Sequence, residues 1–189
     1  MAISTHGVHL IYGGTGSSAS YDSITLKGLT ATYSTGSTYN IGDLAVHSSK
    51  LYRCKANSVT GTWDATKWDE IEDKTFCIKD FPDMSNPQPD QVETTTLCDS
   101  EHKNIDGLGN LPDELSFTAN FDNDLYNLLE GLSAEAHWGI QVGTGAGSPQ
   151  WVFKATSRME LVGAGVGDAL EMRIVLTPKS EITKGNASA

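Results

Sequence analysis

Cysteine is scarce in this chain, and the three present, Cys54, Cys77 and Cys98, are odd in number and form no CxxC pair. They also stand outside metal-ligand spacing with the histidines. A disulfide framework and a zinc site are therefore excluded, and three free thiols in a reducing compartment are expected. Long apolar runs are missing as well. None approaches the ~20 residues that cross a bilayer, and the Met1 end lacks the basic and apolar regions of an export signal, so no membrane insertion is expected. Basic residues are few: thirteen Lys and Arg stand against twenty-four Asp and Glu, a formal charge of -11. The deficit is uneven, because residues 69–124 hold fifteen Asp or Glu and only Lys74, Lys79 and Lys103. Such a surface repels nucleic-acid phosphate. It is read either as a solvated acidic face or, more sharply, as a wall past which a polyanion moves without sticking.

Catalytic signatures are absent too. His6, His9, His47, His102 and His137 are scattered, and neither HExxH, GxSxG nor a Cys and His pairing at recognisable spacing occurs. The glycine-rich turns GGTGSSAS and GTGAGSP lack the Lys and Ser/Thr of a phosphate loop. No enzyme activity, catalytic residue, metal or cofactor is expected.

What is present is organised around residues 115–132, LSFTANFDNDLYNLLEGL. Leu115, Phe117, Ala119 and Phe121 alternate with Ser116, Thr118 and Asn120, the period-two pattern of a strand with one buried face. The period then changes. Leu125, Leu128, Leu129 and Leu132 fall at i, i+3, i+4 and i+7, on one side of a helix. Asp122 or Asn123 can cap its first turn. With Asp122 as the helix N-cap, Phe121 and Tyr126 take the two positions of a hydrophobic staple, and Asp124 favours the positive helix end. A strand feeding one short helix with a single apolar stripe predicts a mainly β domain that carries this one helix.

The flanking segments agree. Nineteen glycines and many serines and threonines favour strands and turns. GVHLIY, residues 7–12, reads as a first strand; residues 23–33 offer another through Ile24, Leu26 and Leu29; KTFCIKDFP, residues 74–82, alternates through Phe76 and Ile78. Residues 83–114 are polar with three prolines. That is longer than a compact domain usually leaves unstructured, so this segment, with residues 92–97 as a candidate strand, is expected to be functional or ordered by a neighbour. Residues 137–142 and 151–155 form a hairpin, residues 158–162 a further strand, and residues 170–177 the last, stopped by Pro178. Residues 181–189 are expected to be a mobile tail or an arm held by a neighbour.

Residues 38–73 have a different texture, with Tyr39, Tyr52, Trp63 and Trp68 close together. The order Tyr39, Gly42-Asp43, Val46, a turn at residues 48–50, Leu51-Tyr52-Arg53-Cys54 and then the tryptophans resembles the small three-stranded modules of the chitin-binding carbohydrate-binding type. In those modules the Gly-Asp pair turns the chain into a strand and a closing Trp completes a tiny core. Their paired tryptophans correspond here to Ala56 and Asn57, so the usual stacking platform is missing. A core this small needs its aromatics, which gives Tyr39, Tyr52 and Trp68 structural work. Trp63, with Tyr52, is the candidate glycan-binding surface, through sugar CH groups on an aromatic face.

The order of MAISTHGVHLIY, TFCIKDFPDM, ETTTLCDSEHKNIDGL, LSFTANFDNDLYNLLEGL and LVGAGVGDALEMRIVLTPKSEI resembles the tail tube, or major tail, proteins of long-tailed phages. That resemblance implies a mainly β fold of two packed β-sheets flanked by one α-helix, over residues 1–37 and 74–189, with residues 38–73 as a small three-stranded insert on the outside. It implies homo-hexameric rings stacked into a hollow tube, contact with other tail proteins, and a place in the virion tail after synthesis in the host cytoplasm. The long segment near residues 83–110 is then expected to reach a neighbouring subunit. DNA is then expected to pass through an acidic lumen without specific binding, and host surface glycans are expected as a further partner for the insert. The alternative is a virion or secreted carbohydrate-binding protein.

Overall fold

The structure is a computed structural model that describes residues 7–17, 19–80, 82–83, 89–96, 98, 100–109, 112–143, 145–163 and 165–187. Among these, β1 (Val8–Gly14) and β2 (Asp22–Ser23) precede a single helical turn, α1 (Leu26–Leu29). β3 (Leu44–His47), β4 (Lys50–Cys54) and β5 (Trp68–Ile71) form a three-stranded antiparallel sheet. β6 (Ile78–Asp80), a hairpin of β7 (Pro89–Glu93) with β8 (Asn104–Gly109), and β9 (Leu115–Asn120) lead to helix α2 (Asn123–Glu130). β10 (Ala136–Val142), β11 (Pro149–Val162), β12 (Glu171–Pro178) and β13 (Thr183–Asn186) follow. The chain is mainly β, with one large curled sheet and the small three-stranded one.

The large sheet runs β2-β1-β10-β11-β12-β9-β6, and β13 also pairs with β11. Two strands expected at residues 151–155 and 158–162 are in fact one: β11 continues for fourteen residues. Its first half pairs with β10 and its second with β12, so a single strand belongs to both halves of the sheet. The sheet curls, and both halves face one core. Leu10, Trp138, Ile140 and Phe153 come from one half, Phe117, Met172, Ile174 and Leu176 from the other. One continuous curled sheet thus stands where two separate packed sheets were expected, because β11 has no break at which to divide them.

Helix α2 supplies Leu125 and Leu129, both fully buried, to the same core, with Leu128 and Leu132 partly buried beside them. Its start follows from local chemistry. Asp122 is extended and its carboxylate accepts from the N–H groups of Asp124 and Leu125 at 3.0 and 3.1 Å, two donors that the first helical turn otherwise leaves unpaired. The Phe121 and Tyr126 rings meet with centroids 5.8 Å apart, which closes the staple.

Two other segments depart from expectation. Within residues 23–33, Thr25 caps a helical turn by accepting from Gly28 N–H at 2.9 Å, so Ile24 and Leu26 reach the core without a strand. In the C-terminal segment, β13 lies along residues 149–152 of β11, anchored by buried Ile182 and by Lys184 over the Trp151 ring. Its own chain orders it. Cys54 is buried while Cys77 and Cys98 are exposed, and all three are free. Among the described residues no helix is long and apolar enough to cross a membrane.

Candidate functional site

Residues 44–71 build a sheet with two differently occupied faces. Side chains alternate across a strand, so Leu44, Val46, Leu51 and Ile71 fall on one face and pack against the main core. Arg53 on that face pairs with Asp124 in the first turn of α2. On the other face Ala45, Cys54 and Trp68 are buried under Tyr33, Tyr39, Tyr52 and Trp63. The sheet is docked by one side and closed by rings on the other. Its turn at Ser48 and Ser49 has both residues at positive φ, 49° and 63°, the geometry that a two-residue hairpin demands.

Trp63 stands among rings. It stacks on His47 at 4.0 Å between centroids and 2° between planes, and on Trp68 at 5.1 Å and 21°. Tyr33 and Tyr52 meet it edge-on at 5.0 and 4.9 Å. Trp63 and Tyr52 are thus neighbours, as the sequence pairing required, but both are half-buried and engaged by their own module. Tyr33 and His47 join this cluster from positions that sequence reasoning did not single out. Tyr33 lies before residue 38, and its register is set by a parallel bridge that places residues 31–33 beside Val46; nothing local announces such a contact. Beside the docked face an open cleft of about 630 Å³ separates the module from α2, with Thr38, Tyr39, Asp43, Asp124 and Asn127 on its walls.

The layer β11-β12-β9-β6 forms the second surface. Its core side carries Met159, Ile174 and Phe117 in one row, whereas its other side is mainly polar, with exposed Arg158, Arg173, Ser116 and Asn120 around a buried Val175. Arg158 stands in register with Val175 and Ser116, and Glu160 with Arg173 and Thr118. The Arg158 fork donates to both oxygens of Glu114 at 2.5 and 3.1 Å and its Nε to Glu160 at 3.1 Å. Arg173 donates to the second Glu160 oxygen at 3.4 Å, and Lys79 Nζ lies 2.6 Å from Glu171. The hydrogen bonds to Glu114 and Glu160 push the Arg158 guanidinium further above its ordinary value.

Among the described residues nothing pairs with the second edge of β11 over residues 156–162, nor with the outer edge of β6. Leu161, Val166 and Leu170 leave apolar side chains exposed at the β11-β12 end. Among the described residues no cluster of His, Cys, Asp or Glu side chains converges to hold a metal ion.

Fold and surfaces together define a mainly β protein with a docked, aromatic-cored sheet on one side and an open-edged layer on the other. No protein-family model matches the chain, and no curated protein is similar to it.

Proposed function

We propose that this chain is the structural subunit of a phage tail tube, closing into hexameric rings that stack around a channel for DNA. One observation carries the reading: among the described residues the layer β11-β12-β9-β6 has two unpaired edges, along residues 156–162 of β11 and along β6. Unpaired strand edges are templates for another chain. When the two edges belong to opposite ends of one layer, pairing is head-to-tail, and a head-to-tail contact whose rotation closes makes a ring. The exposed Leu161, Val166 and Leu170 beside one edge add apolar area to such a contact.

Negative-stain images of the purified protein are expected to contain rings or short tubes; a strictly monomeric species at high concentration overturns the proposal. Leu161→Glu places a charge at the open edge on a side chain already 55% exposed. It is expected to abolish assembly while unfolding free energy stays within about 0.5 kcal/mol.

A second reading, a carbohydrate-binding protein, has the cleft beside α2 in its favour, where two carboxylates, an amide, a hydroxyl and an aromatic ring surround a space of ligand size. Binding to glycan arrays that Asn127→Ala weakens would support it. Trp63 supports it less, since its stacking partners are His47 and Trp68.

A further inference from the structure

We infer that the polar face of the β11-β12-β9-β6 layer carries a charge-locked patch, on which Arg158, Arg173 and Lys79 are each held by a carboxylate and so offer a passing phosphate less than free cations would. The inference rests on the ring reading, because only ring closure turns this face toward a threaded duplex. The core side of the layer is already covered by α2 and by the other half of the curled sheet. The polar side is what remains to line a channel.

Net charge does not explain how such a face releases DNA. Among the described residues the ion-paired groups on it are Arg158, Arg173 and Lys79 against Glu114, Glu160 and Glu171, three of each sign. The patch is balanced, Lys154 and Lys179 stand outside it at the far end of β11 and β12, and the acidic excess of the chain lies elsewhere. What matters is which donors are free. Arginine binds phosphate and carboxylate with the same planar fork. In Arg158 that fork is taken by both oxygens of Glu114, and Nε by Glu160. Glu160 uses its second oxygen on Arg173. One carboxylate therefore ties two arginines on adjacent strands, and Lys79 on β6 is tied separately to Glu171 on β12 across the intervening β9. A phosphate gains little from an arginine that must first leave a carboxylate. The locked cations also neutralise the glutamates, which limits repulsion between copies brought together in a ring.

The test uses the full chain and a fluorescent duplex DNA, with binding read by anisotropy. Wild type is expected to bind weakly. Glu114→Gln with Glu160→Gln keeps the side-chain shapes and frees both forks; affinity is expected to rise about tenfold or more, and to fall about tenfold between ~50 and ~200 mM salt, as two phosphate contacts require. Adding Arg158→Gln and Arg173→Gln is expected to return the affinity to the wild-type value. Glu130→Gln with Glu181→Gln makes the same change in net charge away from the face and is expected to leave affinity unchanged. An equal gain in that control, or no gain in the first pair, overturns the charge lock. If the first pair does not fold, Glu160→Gln alone, which frees Arg173, is read against the same criteria. Negative-stain images of the same samples separate the two proposals. Rings without a gain in affinity leave the ring reading standing and refute the lock; a gain without rings refutes the ring reading alone.

Discussion

The three-stranded sheet and the β11-β12-β9-β6 layer are made of the same alternating strands, yet they end in opposite conditions. The small sheet has an aromatic cluster on one face and the main core on the other. One of its edges is bridged by residues 31–33, and the other, β5, carries Asp69 and Glu70 in the open. The larger layer packs one face on the core, keeps a mainly polar second face, and among the described residues leaves two edges unpaired. Occupying both faces makes a sheet self-sufficient, whereas covering one face and no edge makes it depend on a partner. This contrast explains why a module of so few residues is stable where it sits: its second face is finished by the domain beneath it.

The contrast can be broken or sharpened by substitution. The largest effect is expected at Phe117, fully buried where β9 meets β12. Phe117→Ala should cost about 3–5 kcal/mol in urea unfolding and destabilise the whole chain, since the curled core unites both halves of the sheet. Trp63→Ala should cost less, about 2 kcal/mol, because the ring is only half-buried. Its signature should be local. Amides of β4 and β5 should exchange faster with solvent while those of β9 and β12 keep their protection. If β12 loosens equally, the two sheets are one cooperative unit and the comparison fails.

Asp122→Ala should cost about 1 kcal/mol by leaving the Asp124 and Leu125 N–H groups unpaired, read as a lower urea midpoint. The smallest expected change is a gain. Ser49 holds φ at 63° in the β3-β4 turn, so Ser49→Gly should relieve strain and raise stability by about 0.5–1 kcal/mol without altering assembly. A loss at that position would show that the turn does not govern the small sheet.

Much of the local structure could be read directly. The change from period two to period 3.6 after Phe121, the Asp122 cap and the Phe121-Tyr126 staple involve residues within a few positions of one another. Side-chain reach then decides the outcome whatever the rest of the chain does. The Val46 segment, the turn at residues 48–50 and the Leu51-Tyr52-Arg53-Cys54 segment were equally visible, but their order does not say what lies against each face. The β7-β8 hairpin was half visible: residues 92–97 suggested a strand, and its partner ten residues on was missed because the pairing leaves no mark on local composition.

The sequence by itself determined where strands alternate, where the helix begins and which side of each is apolar, because these depend on neighbours along the chain. Tertiary structure alone decided that residues 149–162 form one strand shared by two half-sheets, that Trp63 meets His47 and Tyr33, and that Glu160 ties Arg158 to Arg173. Those contacts join residues far apart in sequence, and the register that brings them together is fixed by the burial of the whole core, which no short window contains.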